Sequence, residues 1–290
     1  MADYKVIVIT GCSSGIGLDT AVLLAKDDGV KVIATMRNLQ KKDALEKAAG
    51  ESLNKSLIIK ELDISKEDSI LNFVKATITE EGKIDVLVNN AAIAQFGTFE
   101  SVSMEQMQAL FQTNFFGTAR ITQEVVTHMK KRKSGHIIFI SSLGGIKPFP
   151  FMDFYVASKF AIEGLVGNLA PLLRCFNIRV TSVEPGPVKT PVLVNMEKNN
   201  QGRMPFGEEN KESEDENMRL MKTYMAKYFA PFAVMKQTGT EVGEVIKKCI
   251  YEKDSPVRVQ TSDAMVEVVK EILVDHTGNQ VTDELEAFFK

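Results

Sequence analysis

The chain has 290 residues, of which 44% are hydrophobic and 25% are charged, and its formal net charge is −3. This composition is typical of a globular protein that is long enough to bury a large core. It offers no electrostatic basis for nucleic-acid binding, and the three cysteines and three histidines are too scattered to predict a disulfide framework or a metal site.

The first residues, "MADYKVIVITG", lack the basic start and long apolar run of a signal peptide. We find no run of about eighteen apolar residues, which is the length that a membrane-spanning helix requires. We therefore expect a cytoplasmic protein without a transmembrane segment.

Short apolar runs alternate along the chain with segments of helical pattern. The first run, "KVIVIT", is a continuous β-branched stretch, as is typical of buried parallel strands. The alternation predicts an α/β fold: a Rossmann-type doubly wound parallel sheet of about seven strands, in a single domain over residues 1–290. The predicted strands lie within Lys5–Thr10, Lys31–Thr35, Ser56–Ile64, Lys83–Ala91, Gly135–Ser142, Ile178–Gly186 and Pro256–Thr261.

Residues 191–238 interrupt this alternation and contain no predicted strand. Within them, Gly207–Asn217 is a mostly acidic run that we interpret as a solvated surface loop. Met221–Met235 is apolar and aromatic, which favours core packing or a helical lid over a substrate site. Contact with a membrane surface stays open as the alternative.

A glycine-rich turn follows the first predicted strand and opens a helix. Glycines let the backbone approach a pyrophosphate, and the helix N-terminus supplies free N–H groups and the positive end of a dipole. This context favours dinucleotide binding over an ordinary βα turn. The candidate residues in "TGCSSGIG" are Gly11, Ser13, Ser14, Gly15, Ile16 and Gly17.

The next strand indicates which dinucleotide binds. Sites for NAD carry an acidic residue about 20 positions after the glycines, where it bonds the ribose 2′-hydroxyl. Met36 and Arg37 stand there instead, with Lys41 and Lys42 nearby. Because an arginine pairs with a 2′-phosphate, we predict NADP(H). The alternative is that Arg37 is a solvated surface residue.

Further polar residues stand where strands end. Asp63 follows the third strand, where it could meet an adenine edge, and Asn90 and Ala91 follow the fourth, where small residues admit a cofactor closely. Asn114 lies inside a predicted helix, although asparagine is a poor helix former. Each of them could also be an ordinary surface group.

The stretch "YVASK" places Tyr155 and Lys159 four residues apart, on one face of a helix. A nearby cation favours the phenolate form of tyrosine. One interpretation is that the pKa of Tyr155 is lowered towards neutrality, so that its proton can be given and taken. The alternative is that Tyr155 is an amphipathic core residue and Lys159 a solvated helix residue, and the pair by itself does not decide between them.

The ordered set of TG-x-x-x-G-I-G, NNAA, a mid-helix asparagine, a strand-end serine, Y-x-x-x-K and a later PG resembles the short-chain dehydrogenase/reductase family. Within that family the chain is most similar to the branch of hydroxysteroid and retinol dehydrogenases. The resemblance implies that Tyr155 is the acid–base, Lys159 its partner on the nicotinamide ribose, Ser142 the group that steadies the substrate oxygen, and Asn114 the holder of a relay water. It also implies nicotinamide contacts from Pro185, Gly186, Val188 and Thr190, and substrate contacts from Ser142, Leu143, Phe149 and Tyr155.

The resemblance implies an NADP(H)-dependent oxidoreductase that interconverts an alcohol and a carbonyl on a lipophilic substrate. Retinol and retinal are favoured, with a 17β-hydroxysteroid or a broad range of carbonyls as the alternatives. Steroid-converting members use a lid histidine, and residues 191–238 contain none. A homodimer through Phe111–Phe116 and Phe160–Leu173 is also implied. An NADP-binding regulatory protein is the non-enzymatic alternative, although it would not need Asn114, Ser142, Tyr155 and Lys159 together.

Overall fold

The computed structural model describes residues 4–190, 216–229 and 237–274, with no side-chain description at 228–229. The predicted sheet is confirmed. Its strands are β1 (Lys5–Ile9), β2 (Val30–Met36), β3 (Leu57–Glu61), β4 (Val86–Asn89), β5 (Gly135–Ile140), β6 (Ile178–Glu184) and β9 (Arg258–Gln260). All neighbouring pairs are parallel, in the order β3-β2-β1-β4-β5-β6-β9.

Helices cover both faces of this sheet. The described helices are α1 (Gly15–Leu24), α2 (Asp43–Ala49), α3 (Glu67–Glu81), α4 (Met104–Phe111), α5 (Thr118–Arg132), α6 (Asp153–Arg174), α7 (Glu216–Tyr224), α8 (Gly239–Tyr251) and α9 (Asp263–Val274). Two π-helical segments, Gln112–Gly117 and Met225–Phe229, directly follow α4 and α7.

Alternate residues of the central strand β1 point to opposite faces of the sheet. Ile7 and Ile9 pack with α1, α2 and α8, whereas Val6 and Val8 pack with α3, α5 and α6. All four side chains are fully buried. Because both faces are covered, β1 is apolar throughout its length, which is why a continuous apolar run predicted it correctly.

The expectation that residues 191–238 contain no strand is wrong. A two-stranded parallel sheet joins β7 (Val188–Lys189) to β8 (Gln237–Thr238). The Gln237 N–H also donates to the Pro187 carbonyl at 3.0 Å. A strand of two residues has no periodicity, so sequence patterns cannot predict it. Most of the acidic run lies outside the described residues.

A third apolar cluster lies between the loops after β4 and β5 and the helices α7 and α9. The Tyr224 side chain is fully buried, and its ring centroid lies 5.8 Å from that of Phe151. The core-packing interpretation therefore holds for α7. The rest of the predicted lid, including Phe232, falls outside the described residues.

By length and composition, α6 could cross a membrane, with a mean hydropathy of 1.2 over an 18-residue window, although we expected no such segment. Its residues Ile162, Val166 and Leu173 are buried against the sheet. A single helix of this kind is weak evidence for a membrane span, because core helices share the same composition.

Candidate active site

The glycine-rich turn lies at the carboxyl end of β1, where the strand order changes direction between β1 and β4. Gly11 has a φ of 73°, and an added Cβ would lie 2.7 Å from the Cα atom of Ala91. A Cβ on Gly17 would lie 2.4 Å from Nδ2 of Asn90 and 2.6 Å from the Gly11 carbonyl oxygen. Both positions therefore require glycine, and four of the predicted cofactor residues, Gly11, Gly17, Asn90 and Ala91, lie in direct contact.

Thr10 connects the ends of β1 and β4, and sequence reasoning missed it. Its hydroxyl oxygen accepts hydrogen bonds from the N–H groups of Asn90 at 3.0 Å and Ala91 at 2.9 Å. The Asn90 side chain in turn donates to the Thr10 carbonyl at 2.8 Å. One signal in the sequence pointed to this role, a threonine at the end of the apolar run and directly before the glycine turn.

The turn leads into α1 and faces the predicted nicotinamide segment. Ser14 has extended backbone geometry, and its hydroxyl makes no capping bond to α1. A Cβ on Gly15 would lie 3.1 Å from Cγ2 of Thr190, and the Pro185 carbonyl accepts a bond from the Leu143 N–H at 2.9 Å. Gly186 packs against Met265 of α9. The open glycine turn and the uncapped helix N-terminus fit a pyrophosphate, while Ser13, Ile16 and Val188 are half-buried beside it.

Arg37 is exposed directly after β2 and forms no ion pair within the part of the chain that the structure describes. Lys42, one of the two lysines expected to add positive charge nearby, is paired with Glu46 at 2.9 Å. The Asp63 carboxylate accepts bonds from the Ser65 N–H and hydroxyl at 3.0 and 2.7 Å. A contact from Asp63 to adenine therefore stays a prediction.

Asn114 is buried in the π-helical segment between α4 and α5. Its Oδ1 accepts from the Ile93 N–H at 2.8 Å, and its Nδ2 donates to the Ile93 carbonyl at 2.9 Å and to the Ser158 hydroxyl at 3.0 Å. The Ser158 hydroxyl donates to the Tyr155 carbonyl at 2.7 Å. Asn114 thus ties the loop after β4 to α6, and one acceptor lone pair remains for the predicted relay water. Ser158, inside "YVASK", is a second residue that sequence reasoning missed.

The structure brings together Ser142, Tyr155 and Lys159, as predicted. The Ser142 hydroxyl accepts a bond from the Gly144 N–H at 3.0 Å. A Cβ added to Gly144 would lie 3.4 Å from the Ser142 Oγ and 3.6 Å from Cε1 of Tyr155, so the two side chains border the same space. Lys159 lies on the same side of α6, with its Nζ 5.7 Å from the Tyr155 ring centroid. The serine and the phenol can therefore address one substrate oxygen together.

The expected lowering of the Tyr155 pKa is wrong for the protein by itself. Burial raises the pKa of Tyr155, and its hydrogen bond with Ser142 only opposes that rise. Lys159 donates to the Ile140 carbonyl at 2.8 Å, and burial lowers the pKa of its ammonium to about 8. The i,i+4 spacing places the two groups on one face, but desolvation of the phenol is the largest influence on its pKa.

The predicted substrate residues belong to the third apolar cluster. Leu143 and Phe149 are buried there with Met152 and Tyr224, and Tyr155 packs against the same cluster. The surface next to the phenol is therefore apolar. Whether it binds the substrate stays a prediction.

Two cavities lie away from these residues. One of about 1080 Å³ lies at the amino ends of the strands and is lined by Lys5, His136 and Arg179 among others. The other, about 590 Å³, is lined by residues of α4 and the following π-helical segment. We assign the site by its chemistry instead, because ligands of open parallel sheets bind at the carboxyl ends. In residues 4–190, 216–229 and 237–274, no three His, Cys, Asp or Glu side chains converge on a possible metal site.

Comparison with known proteins identifies the class. The model of the short chain dehydrogenase family matches residues 5–201, so the chain belongs to this family of oxidoreductases. Human retinol dehydrogenase 8 is 46% identical over 188 residues, which are 64% of this chain and 60% of that protein. Human 17-beta-hydroxysteroid dehydrogenase type 1 is 33% identical over 281 residues, 96% of this chain and 84% of that protein.

The fold comparison agrees with this family. A short-chain dehydrogenase from Streptomyces avermitilis superposes with a TM-score of 0.74 at 27% identity and covers 98% of both chains. The branch named from sequence motifs is confirmed, because retinol and 17β-hydroxysteroid dehydrogenases are among the relatives. The chain spans about 60% of the length of the retinol dehydrogenases that it matches.

Proposed function

We propose that this protein is an NADP(H)-dependent oxidoreductase that interconverts an alcohol and a carbonyl on a lipophilic substrate, with retinol and retinal favoured. The observation that carries the proposal is the grouping of Ser142, Tyr155 and Lys159 at the carboxyl edge of the sheet: the serine hydroxyl and the phenol ring border the same space beside Gly144, and the Lys159 Nζ lies 5.7 Å from the ring centroid. This grouping lies between the glycine-rich turn and the apolar cluster.

In this proposal each side chain has one chemical task. The Ser142 hydroxyl orients the substrate oxygen by a hydrogen bond. Tyr155 gives its proton to that oxygen during reduction and takes it back during oxidation. Burial keeps the phenol protonated at neutral pH, which suits the acid needed for reduction. The bound dinucleotide would supply or accept the hydride. Lys159 would hold the dinucleotide and balance the negative charge of the dinucleotide.

The preference for NADP(H) rests on Arg37. Its guanidinium is exposed at the end of β2, where the 2′-phosphate of the adenosine ribose would lie, and it forms no ion pair among the described residues. A guanidinium binds phosphate through charge-assisted, bidentate hydrogen bonds. Neither position 36 nor position 37 holds an acidic residue that would repel the 2′-phosphate.

The substrate preference rests on apolar burial. At about 25 cal/mol per Å², a long polyene or steroid skeleton gains more from the apolar cluster than a small polar carbonyl does. The higher identity to a retinol dehydrogenase favours a retinoid. A 17β-hydroxysteroid or a broad range of carbonyls is the second candidate, supported by the longer match to the steroid enzyme.

The test is a comparison of kcat/KM with NADPH for all-trans-retinal, estrone and a small polar aldehyde. We expect retinal to be reduced at least as efficiently as estrone, and the aldehyde far less efficiently. Estrone ahead by more than about tenfold, equivalent to roughly 1.4 kcal/mol, would reverse the ranking. A protein that binds NADPH but turns over no carbonyl would be the regulatory protein of the non-enzymatic alternative.

We further propose a cytoplasmic homodimer, with peripheral membrane contact as the alternative location. Phe116 and Phe160 are 55% and 44% exposed near the start of α5 and on α6, and Leu172 is 53% exposed further along α6. A self-complementary interface would cover these side chains. Sedimentation of wild type and Phe116→Asp tests the dimer, and flotation with liposomes tests membrane contact.

A further inference from the structure

A network of charged side chains begins at Glu163, one helical turn after Lys159 on α6. The Glu163 carboxylate accepts a hydrogen bond from the Ser182 hydroxyl of β6 at 2.6 Å. Its other oxygen lies 3.5 Å from Nε of Arg258, on β9. The side chain is only 11% exposed, so three elements hold this carboxylate in place.

A second carboxylate shares the same arginine. Glu184 of β6 is fully buried, accepts from Nε of Arg258 at 2.7 Å, and accepts from the Gln260 amide at 2.5 Å. Burial and the neighbouring charge of Glu163 raise the pKa of Glu184, so the two carboxylates do not share the one guanidinium equally. Lys159 stands four residues before Glu163, on the same face of α6.

The backbone is shaped to admit this arrangement. Gly145, in the loop after β5, lies where an added Cβ would be 2.9 Å from Cγ of Glu163 and 3.2 Å from the Lys159 carbonyl oxygen. Lys159 itself is buried, and its only described hydrogen bond goes to the neutral Ile140 carbonyl. A buried ammonium without a counter-charge tends to lose its proton.

We propose that Glu163 is a positioning residue of the active site: its carboxylate, fixed by Ser182 and Arg258, keeps the Lys159 ammonium charged and in place beside Tyr155. The inference rests on the proposed roles of Tyr155 and Lys159. Burial lowers the Lys159 pKa to about 8, and the charge of Glu163 opposes that fall, so the direction agrees with the geometry.

The groups around Lys159 make the test specific. Of the titratable groups on its own helix, Tyr155 and Glu163 lie one turn before and one turn after Lys159, and Glu184 and Arg258 approach from β6 and β9 through Glu163. The residues contributed by β5 and the π-helical segment, Ser142 and Asn114, do not titrate. Removing the charge of Glu163 should therefore lower the pKa of Lys159 further.

The experiment measures kcat/KM for carbonyl reduction with NADPH, and the Kd of NADPH by its fluorescence, from about pH 6 to about pH 10. The carbonyl is all-trans-retinal, or whichever of the three compounds above is turned over. We expect Glu163→Gln to move the basic limb of both profiles down by about one pH unit. Glu163→Asp keeps the charge and should leave the limb near its wild-type position.

Glu184→Gln is the matched control, because it removes a carboxylate from the same Arg258 pair without touching Lys159. Glu184→Gln should lose as much thermal stability as Glu163→Gln does, but the basic limb of its pH profiles should keep the wild-type position. A limb that stays unchanged in Glu163→Gln, or that moves equally in Glu184→Gln, would overturn the proposal. If Glu163→Gln does not fold, the double variant with Arg258→Met, which leaves no unpaired guanidinium, takes the same test with the same outcomes.

Lys159→Ala separates this inference from the proposed function. If that variant keeps the wild-type rate and NADPH affinity, the role of Lys159 is wrong and the positioning role of Glu163 is wrong with it. If Lys159→Ala loses both while Glu163→Gln behaves as wild type, only the inference about Glu163 is overturned.

Discussion

At the scale of single residues, two adjacent serines at the end of β5 have different surroundings. The Ser142 hydroxyl accepts a hydrogen bond from the Gly144 N–H and lies on the Tyr155 side of the loop after β5, whereas the Ser141 hydroxyl is buried without a hydrogen-bond partner in the described part of the chain. The hydroxyl that can reach a substrate oxygen next to the phenol is that of Ser142.

We therefore expect Ser142→Ala to lower kcat by about 100-fold, as loss of a preorganised hydrogen-bond donor does. Ser141→Ala is the control and should keep the wild-type kcat, because it removes only an unpartnered hydroxyl. Steady-state kinetics with NADPH compare the two variants. Equal losses would mean that the hydroxyl of Ser142 has no special role.

Arg37 is expected to decide between the two dinucleotides. Arg37→Ala should lower kcat/KM with NADPH by about 10- to 100-fold, in line with the loss of a charge-assisted hydrogen bond, and should leave the value with NADH nearly unchanged. Lys42→Ala is the control, since Lys42 is already paired with Glu46. A wild-type protein that prefers NADH would contradict the argument from charge.

An acidic substitution at position 36 cannot be used to test the cofactor preference. Met36 is only 2% exposed and packs in the core cluster with α1 and α2. A carboxylate there would be buried without a partner, so its effect on folding would obscure any change in cofactor preference.

At the scale of elements, the contact between the glycine turn and the loop after β4 determines whether the cofactor site can form. Gly17→Ala would place a methyl group 2.4 Å from Nδ2 of Asn90 and 2.6 Å from the Gly11 carbonyl oxygen. We expect NADPH affinity to fall by at least about tenfold and unfolding free energy by about 1–3 kcal/mol, as in other overpacked sites.

The matched control is Gly164→Ala on α6, where an added Cβ meets no atom within 4 Å. It should keep the NADPH affinity of wild type. Fluorescence titration with NADPH and thermal unfolding of both variants check the prediction. An unchanged affinity in Gly17→Ala would show that the turn can widen without loss of binding.

The elements also show where sequence patterns succeed. Short apolar runs predicted all seven strands of the main sheet. The signal is strongest where both faces are buried, as in β1 and β4, and weaker in the partly exposed strands β3 and β9. The same reasoning missed β8, whose two residues are held by a single short pairing with β7. It also placed Asn114 in a helix without indicating that the helix is locally of the π type.

At the scale of the whole molecule, buried His136 makes stability depend on pH. Its Nε2 lies 2.9 Å from the Thr181 hydroxyl, and burial, followed by repulsion from Arg179 and Lys5, lowers its pKa from 6.5 to about 3. Since the folded pKa is the lower one, the unfolded chain binds the proton first as pH falls. This contribution to stability is complete above about pH 6.5 and is lost progressively towards pH 3.

We expect the unfolding free energy of wild type to fall by about 2 kcal/mol between about pH 7.5 and about pH 5 because of this one group. His136→Gln should remove that part of the pH dependence while keeping a side chain that can bond Thr181. Urea unfolding of both proteins at the two pH values measures the difference. The same loss in both would place the acid sensitivity elsewhere in the molecule.

The sequence by itself predicted the chain order of strands and helices and the glycine turn, because these depend on local pattern, and its short motifs pointed to Asn114, Ser142, Tyr155 and Lys159 as candidate site residues. Only the tertiary structure showed the hydrogen bonds of Thr10, the contact of Ser158 with Asn114, and the charges around Glu163, since their partners come from distant parts of the chain. The direction of the Tyr155 pKa shift also depends on the tertiary structure. Spacing places Lys159 on the correct helix face, but the cost of desolvating the phenol depends on every element that packs around it.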